Sequence, residues 1–245
     1  SALSFMLENL AKPIIFTGSQ LPIGDLRTDA KENLITAIQI ASLRKDEQAV
    51  VKEVCLYFEY KLYRANRTTK INAEHFKAFT SPNYPFLIES GVHLNMNSEF
   101  FLPVKDRMPF RVHKSLDTNV IVLKLFPGIS EQVIDAVVAI PHLKGIVLET
   151  YGAGNAPTAD WFLNVLQKAI HKGIHIINVT QCSGGSVRMG QYETSSVLLE
   201  IGVISGKDMT TEAAITKLMF LLGQSIPAAD FKNQFETALR GEIQE

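Results

Sequence analysis

Three cations with interleaved hydroxyl and amide side chains lie close together in the segment Arg64-Ala-Asn-Arg-Thr-Thr-Lys70. A cation beside a hydroxyl can lower the pKa of that hydroxyl and help it act as a nucleophile, or it can hold a carboxylate. The segment follows a predicted strand over residues 50–58, so it lies at a strand's carboxyl end. A solvated basic loop explains most runs of charge equally well, and the spacing leaves both interpretations open.

A second polar segment, Gly152-Ala-Gly-Asn-Ala-Pro157, lies between a predicted strand and a predicted helix, where a dinucleotide-binding fingerprint would lie. Pro157 occupies the place of the third glycine, which disfavours a nucleotide site. Loops at the carboxyl ends of parallel strands line ligand crevices, so Asn155 would present both a donor and an acceptor there. An asparagine that only stabilises a turn is an equally good explanation.

Cysteine and histidine chemistry is disfavoured. Cys182 follows a predicted strand and has the position of a nucleophile, but such a cysteine is more often a small apolar residue at a sheet edge. His171 and His175 are four residues apart, yet Gly173 between them ends a helix. They are predicted to be a helix terminus and a strand start, and no metal site is predicted.

The elements that must position these segments follow from hydrophobic periodicity. An amphipathic helix is predicted over residues 1–10, with leucines and a methionine on one face. The pattern weakens between residues 80 and 114 and returns at Asn119. Helices alternating with strands predict parallel α/β structure in both halves. The predicted elements are strands at 14–17, 50–58, 120–123, 145–148 and 174–179, and helices at 29–43, 131–138 and 159–171.

Composition excludes several classes of protein. The 245 residues are 46% hydrophobic and 20% charged, with a net charge of -1, which excludes a disordered chain and disfavours a nucleic-acid partner. No apolar run approaches the roughly 20 residues of a membrane helix, so no membrane partner is predicted. Two cysteines, Cys55 and Cys182, are typical of a reducing compartment, and a cytoplasmic location is predicted.

Several segments together resemble bacterial type I, cytoplasmic L-asparaginases. The matches follow one another along essentially the whole chain. In the first half the matching segments are Lys12-Pro-Ile-Ile-Phe-Thr-Gly-Ser-Gln-Leu-Pro-Ile23, Leu26-Arg-Thr-Asp29, Asn33-Leu34, Leu62-Tyr-Arg-Ala-Asn-Arg-Thr-Thr-Lys-Ile71 and Phe79-Thr-Ser-Pro-Asn83. In the second half they are Tyr151-Gly-Ala-Gly-Asn-Ala-Pro157, Asn178-Val-Thr-Gln-Cys182, Asp208-Met-Thr-Thr-Glu-Ala213 and Leu239-Arg-Gly-Glu242.

The alternation of strands and helices predicts a doubly wound, Rossmann-like domain with a parallel sheet over residues 118–245, after a linker at 101–117. The resemblance implies that this is the smaller, C-terminal domain and that residues 1–100 belong to an incomplete, larger N-terminal α/β domain. It also implies hydrolysis of L-asparagine to L-aspartate and ammonia through a threonine acyl-enzyme, without a cofactor. The subunits would form a homodimer or homotetramer whose active sites are shared between subunits.

Three site residues carry over from the resemblance. Lys70 matches the lysine of a catalytic Thr-Lys-Asp triad, Asn155 matches a residue that reaches the neighbouring subunit's substrate, and Ser19 borders the substrate pocket. The family's Gly-Gly-Thr and His-Gly-Thr-Asp-Thr-Met segments do not occur in the 245 residues, and Thr28-Asp29 has the wrong surroundings to replace them. The sequence also begins inside a predicted helix without a cap. We therefore expect an upstream segment of about 100 residues to carry the nucleophile, and this chain alone to be inactive.

A further departure concerns regulation. Some type I enzymes are thought to bind asparagine as an activator through an arginine together with residues that match Thr69 and Cys182. Glu149 stands where that arginine would be. Its carboxylate would repel the carboxylate of the effector, so weak or absent cooperativity is predicted.

Two alternatives remain. An amidase of the same fold could act on glutamine or on an aminoacyl-tRNA, although the near-zero net charge disfavours the tRNA. From another class of protein, the chain could be a fragment that binds an amino acid without hydrolysing it.

Overall fold

In the computed structural model the chain is described over residues 1–103, 108–191 and 193–244. It divides into two units, Ser1–Lys114 and Ser115–Glu245. The first unit consists mainly of short strands. Its elements in chain order are α1 (Ala2–Met6), β1 (Leu7–Glu8), β2 (Ile14–Phe16), α2 (Ala30–Ser42), β3 (Arg44–Lys45), β4 (Gln48–Ala49), β5 (Val54–Phe58), β6 (Lys61–Arg64), β7 (Thr69–Lys70), β8 (Phe79–Thr80), β9 (Ile88–Ser90), β10 (Leu94–Met96) and β11 (Arg111–Val112), with 3₁₀ turns at Ala65–Arg67 and Ser98–Phe100.

The central sheet of the first unit is mixed, in the order β10-β9-β6-β5-β2. Only β2 and β5 are parallel, because α2 lies between them in the chain and provides the crossover. The other neighbours are antiparallel, and the prediction of a wholly parallel sheet is wrong here. The reason is the two-residue turn between β5 and β6: Glu59 and Tyr60 both have positive φ, 46° and 65°, which reverses the chain directly into a hairpin.

The core of the first unit lies between α2 and the sheet. The predicted helix over 29–43 is confirmed as α2, which buries Ala37 and Ile40 on one face. These two side chains pack in a cluster with sheet residues that include Cys55, Tyr57 and Leu62. The core therefore holds β2 and β5 in place, and the Ser19 turn follows the carboxyl end of β2. The segment over residues 64–70 follows β6 instead, where Arg64 pairs with Cys55 near the start of β5, so the prediction that it lies at the carboxyl end of the strand over 50–58 is wrong.

The first helix is shorter than its periodicity predicts. α1 ends at Met6, and the chain then enters β1, which pairs antiparallel with β11. The residues that α1 buries are Ser4 and Phe5 rather than the predicted leucine face. The prediction of a helix over residues 1–10 is therefore wrong, because pairing with a strand about 100 residues away replaces helical hydrogen bonds after the first turn.

The second unit alternates strands and helices. The predicted strands at 120–123, 145–148 and 174–179 and the predicted helices at 131–138 and 159–171 are all confirmed to within a few residues. Its elements in chain order are β12 (Val120–Lys124), α3 (Glu131–Val138), β13 (Gly145–Thr150), α4 (Asp160–His171), β14 (His175–Thr180), α5 (Glu193–Glu200), β15 (Ile204–Ser205), α6 (Thr211–Gly223) and α7 (Ala228–Glu236).

A four-stranded parallel sheet in the order β12-β13-β14-β15 forms the centre of this unit. Helices cover both of its faces, and this is why the strands read as continuous apolar runs. Ile146 and Leu148 pack in one cluster with Phe162 of α4. On the opposite face α6 approaches Gly145 so closely that a Cβ there would lie 2.7 Å from the Leu218 side chain. The predicted α/β fold class, with a parallel sheet in the second half, is confirmed.

A buried ion pair closes the C-terminal part of the second unit. Lys217 and Glu242 are both 0% exposed, and the Lys217 ammonium donates to Glu242 Oε1 and, at 2.7 Å, to the Thr237 carbonyl oxygen. The Glu242 carboxylate also accepts from the main-chain N–H groups of Leu239 and Arg240. Burial raises the pKa of Glu242, but Lys217 and these hydrogen bonds lower it more, so the pKa lies below its ordinary value.

Candidate functional site

Lys70 lies on a small hairpin of the first unit. The hairpin pairs β7 with β8, and Lys70 is opposite Phe79. Between the two strands, at the start of the connecting loop, the Ile71 N–H donates to the Ala78 carbonyl oxygen at 2.8 Å. Lys70 is exposed, and its ammonium lies 5.8 Å from the centre of the Phe79 ring. The hairpin is closed by main-chain bonds, and it leaves the Lys70 side chain exposed.

The other two cations of this segment point into the protein. Arg64 donates from Nε to Glu53 Oε2 at 2.6 Å, and both side chains are 3% exposed. The guanidinium groups of Arg64 and Arg67 lie 4.5 and 4.9 Å from the centre of the Tyr84 ring. Burial lowers the pKa of Arg64, but Glu53 raises it more, so the group stays charged. These arginines fix the fold, and Lys70 is the cation of this segment with an exposed side chain.

The turn that carries Ser19 follows β2 and is held by one carboxylate. Asp29 accepts from the main-chain N–H of Gln20 at 3.0 Å and of Leu21 at 3.2 Å. Asn33 donates to the Gly18 carbonyl oxygen at 2.9 Å. Ser19 itself is exposed. Asp29 thus has a structural task within this turn, in agreement with the expectation that it does not replace the family's triad aspartate.

One hydrogen bond joins the Ser19 turn to the Lys70 hairpin. Gln20 Nε2 donates to the His75 carbonyl oxygen at 2.7 Å, and His75 lies in the loop between β7 and β8. The first unit therefore brings the segments of two predicted site residues, Ser19 and Lys70, together.

Asn155 lies in a five-residue loop at the carboxyl end of β13, in the second unit. The loop closes on itself: the Tyr151 N–H donates to the Asn155 carbonyl oxygen at 2.9 Å, and the Asn155 N–H donates back at 2.8 Å. Gly154 has φ of +110°, and a Cβ there would lie 2.8 Å from Val187. Glycine is therefore required for both the conformation and the close approach. Asn155 is half-buried at the edge of the sheet where ligands of parallel α/β folds bind.

The sequence did not identify the residues that hold this loop. Asn178 Nδ2 donates to the Gly154 carbonyl oxygen at 3.2 Å, and Thr180 Oγ1 donates to the Gly152 carbonyl oxygen at 2.5 Å. Asn178 is 0% exposed within the apolar strand β14. The sequence does carry one signal for Asn178, because it is a polar residue inside an otherwise apolar strand. A buried polar side chain of this kind needs a hydrogen-bond partner.

Of the predicted effector residues, Glu149 and Cys182 lie in the second unit and Thr69 in the first. Glu149 Oε1 accepts from the Thr211 hydroxyl at 2.6 Å at the start of α6, and Oε2 lies 3.8 Å from the Lys124 ammonium. Gln181 donates to the Glu149 carbonyl oxygen at 2.9 Å. Cys182, which is exposed and not in a disulfide, directly follows Gln181 in the chain. Thr69 pairs with Thr80 on the Lys70 hairpin. The Glu149 carboxylate is thus engaged within its own unit.

Other candidate chemistry has structural explanations. His171 ends α4 and His175 begins β14, as predicted, and the His175 ring stacks 3.7 Å from that of Phe231. Burial lowers the pKa of His175. Within residues 1–103, 108–191 and 193–244, no group of three or more His, Cys, Asp or Glu side chains is arranged to hold a metal ion. Over the same ranges every helix is too short or too polar to span a bilayer.

The fold and these segments define an α/β protein with exposed polar loops at the carboxyl ends of strands in both of its units. Comparison with known proteins gives the family. The family models described as "Asparaginase, N-terminal" and "Glutaminase/Asparaginase C-terminal domain" match residues 1–101 and 119–235. The chain belongs to the asparaginase family.

Individual relatives agree with this assignment. L-asparaginase 1 of Escherichia coli (strain K12) is 43% identical over 243 residues, which are 99% of this chain and 70% of that protein. The 60 kDa lysophospholipase of Homo sapiens is 42% identical over 99% of this chain, but only 41% of that protein is covered. The crystal structure of L-asparaginase I from Vibrio cholerae superposes with a TM-score of 0.91 at 40% identity, covering 100% of this chain and 72% of that one.

Proposed function

We propose that the protein is an amidohydrolase that converts L-asparagine and water to L-aspartate and ammonia. The observation that carries this proposal is the similarity to L-asparaginases in sequence and structure along the whole chain. The lysophospholipase similarity covers less than half of that relative, so its activity is not transferred to this protein.

The proposed reaction is covalent. A threonine hydroxyl attacks the side-chain amide carbon of asparagine, the C–N bond breaks, and the leaving nitrogen takes a proton and departs as ammonia. Water then hydrolyses the threonine ester to release aspartate. This route suits a stable amide because it splits one difficult step into two easier ones. The family's threonine segments are absent from these 245 residues, so we propose that upstream residues supply the nucleophile.

Lys70 is proposed as the catalytic lysine. An ammonium close to a threonine hydroxyl favours loss of its proton, since the hydroxyl alone has a far higher pKa than neutral solution can titrate. The exposure of Lys70 and the hydrogen bond between its hairpin and the Ser19 turn support this role. Ser19 is proposed to border the bound substrate, and preorganised donors would stabilise the developing oxyanion.

Asn155 is proposed to bind substrate in the active site of a neighbouring subunit. This requires a homodimer or a homotetramer with shared sites. The half-buried position of Asn155 in a closed loop supports a binding role rather than a chemical one. In this proposal residues 1–100 belong to the N-terminal catalytic domain, 101–117 form a linker, and 118–245 form the C-terminal domain. Two free cysteines are compatible with a cytoplasmic location, which is proposed on that ground.

The test is ammonia release by the complete protein from L-asparagine and L-glutamine, measured side by side. We expect release from asparagine to be faster. Faster release from glutamine would replace the proposal with a glutamine amidase. Calorimetric binding of asparagine with no release would make the protein a binding protein. The 245-residue chain is the matched sample and should release no ammonia; release by that chain would place a nucleophile within it.

A further inference from the structure

The Asn155 loop is anchored at two main-chain carbonyl groups by side chains of the neighbouring strand. Thr180 donates to the Gly152 oxygen and Asn178 donates to the Gly154 oxygen. Both donors belong to β14, whereas the loop extends β13. The two carbonyl groups belong to the residues on either side of Ala153, and Gly154 directly precedes Asn155. Fixing both groups therefore restricts the backbone that carries the Asn155 side chain.

The Asn178 anchor is built into the core. Thr150 and Asn178 are both 0% exposed, and the Thr150 hydroxyl donates to Asn178 Oδ1 at 2.7 Å. This bond occupies the acceptor of the amide and turns its donor, Nδ2, toward the loop. Nδ2 also lies 3.3 Å from the sulfur of Met189. A fully satisfied buried amide is rigid, because every alternative rotamer would leave a polar group without a partner.

The Thr180 anchor joins two strand-end loops. While its hydroxyl donates to Gly152, its oxygen accepts from the Cys182 N–H at 3.0 Å. A second bond between the same loops runs from the Arg188 N–H to the Ala153 carbonyl oxygen at 2.9 Å. The Asn155 loop is thus fixed at Gly152 by the last residue of β14 and at Ala153 by the segment after β14.

We propose that Asn178 and Thr180 are positioning residues for Asn155, and this inference rests on the proposed function of Asn155 in substrate binding. Displacing a binding group by about 1 Å can cost a large part of its effect. The two anchors restrict that displacement without contacting the substrate themselves. Loss of either anchor should therefore weaken substrate binding through Asn155.

The main test replaces Thr180 by valine in the complete protein, with Thr180→Ser as the matched control. Valine keeps the shape and removes the hydroxyl, whereas serine keeps the hydroxyl. We expect Thr180→Val to raise KM for asparagine about tenfold with kcat changed less than about twofold, and Thr180→Ser to behave like the parent protein. In an Asn155→Ala background Thr180→Val should add nothing further, because the residue to be positioned is gone. Additive effects, or an unchanged KM, would overturn the inference.

Hydrogen exchange gives a readout that does not depend on turnover. The N–H groups of Gly154 and Asn155 are bonded inside the loop, so they should exchange faster in Thr180→Val and at the parental rate in Thr180→Ser. Unchanged exchange in the valine variant would contradict the anchoring. If the complete protein proves inactive toward asparagine, the proposed function fails, and this exchange measurement still decides whether Thr180 fixes the loop. Asn178→Asp, which keeps the acceptor for Thr150 and places a carboxylate against the Gly154 oxygen, should accelerate exchange at least as much.

Discussion

The Lys70 hairpin and the Asn155 loop present their side chains in different ways. The hairpin consists of two strands of two residues each, closed by main-chain bonds, with the lysine side chain exposed. The Asn155 loop is fixed from beneath by the buried amide of Asn178 and by the Thr180 hydroxyl. A long charged side chain on a short hairpin suits proton movement, whereas a short amide on an anchored loop suits binding. If the proposed roles hold, loss of Lys70 should change mainly kcat and loss of Asn155 mainly KM.

The strongest test of this division is Lys70→Ala in the complete protein. Loss of the ammonium should lower kcat by about 10²–10⁴-fold, the usual contribution of a general acid or base, with a smaller change in KM. Steady-state ammonia release measures both quantities. Lys77→Ala, at an exposed lysine of the same hairpin, is the matched control and should keep parental kinetics. Turnover close to the parental value in Lys70→Ala would remove this lysine from the mechanism.

The rigidity of the second unit is tested by breaking its buried ion pair. Glu242→Gln removes the carboxylate that the buried Lys217 ammonium contacts, and loss of one member of such a pair costs about 3–5 kcal/mol of unfolding free energy. Urea denaturation monitored by circular dichroism measures the change. Glu236→Gln, a variant at a more exposed carboxylate of α7, should be nearer the parent protein. Equal stability of the two variants would show that the pair does not stabilise this unit.

The same pair predicts the response of the protein to acid. Because the pKa of Glu242 is lower in the folded protein than in the unfolded chain, its ionised form stabilises the fold at neutral pH. This contribution is complete above the ordinary glutamate pKa of about 4.3 and disappears as the pH falls toward the lowered value. The stability of the parent protein should therefore decrease more steeply below about pH 4.3 than that of Glu242→Gln. Parallel stability profiles for the two proteins would contradict this assignment.

Asn155→Ala tests the binding half of the comparison. Losing a hydrogen bond to a charged substrate should raise KM by about 10–100-fold, with a smaller loss of kcat. Asn164→Ala, at an exposed asparagine of α4, is the control. A variant in which kcat falls and KM is unchanged would place Asn155 in the chemical step, and the two segments would no longer differ in the way proposed.

The smallest expected effect concerns cooperativity. The Glu149 carboxylate accepts from Thr211 and lies close to Lys124, and we expect it to repel a second asparagine at the predicted effector position. Initial rates should therefore follow a hyperbolic dependence on asparagine concentration in both the parent protein and Glu149→Ala. A strongly sigmoidal parental curve that becomes hyperbolic in the variant would show that Glu149 takes part in activation.

Sequence patterns predicted the elements with strong local signals. The apolar runs of β12, β13 and β14 and the periodicity of α2, α3 and α4 are local properties, and all six were predicted correctly. The helix over residues 1–10 was predicted wrongly because the pairing of β1 with β11 depends on residues about 100 positions away. The domain boundaries stay a prediction.

The candidate site was only partly accessible from sequence. The Lys70 segment and Asn155 are candidates from their chemistry and their places in the sequence, whereas Ser19 and the specific roles of all three come from the resemblance and stay predictions. The anchoring residues Asp29, Asn178 and Thr180 were missed because their partners are main-chain atoms of other segments. Which backbone group a polar side chain will meet depends on the packing of whole elements, and periodicity carries no information about this.

The ion pair between Lys217 and Glu242 also constrains how the protein is made. Glu242 leaves the ribosome 25 residues after Lys217, which at 5–20 residues per second is a delay of about 1–5 s. During that time Glu242 is not yet available to the Lys217 ammonium, and burying a charge before its partner is present is costly. We therefore expect the packing of α6 around Lys217 to reach its final form only after the Leu239-Arg-Gly-Glu242 turn has been synthesised.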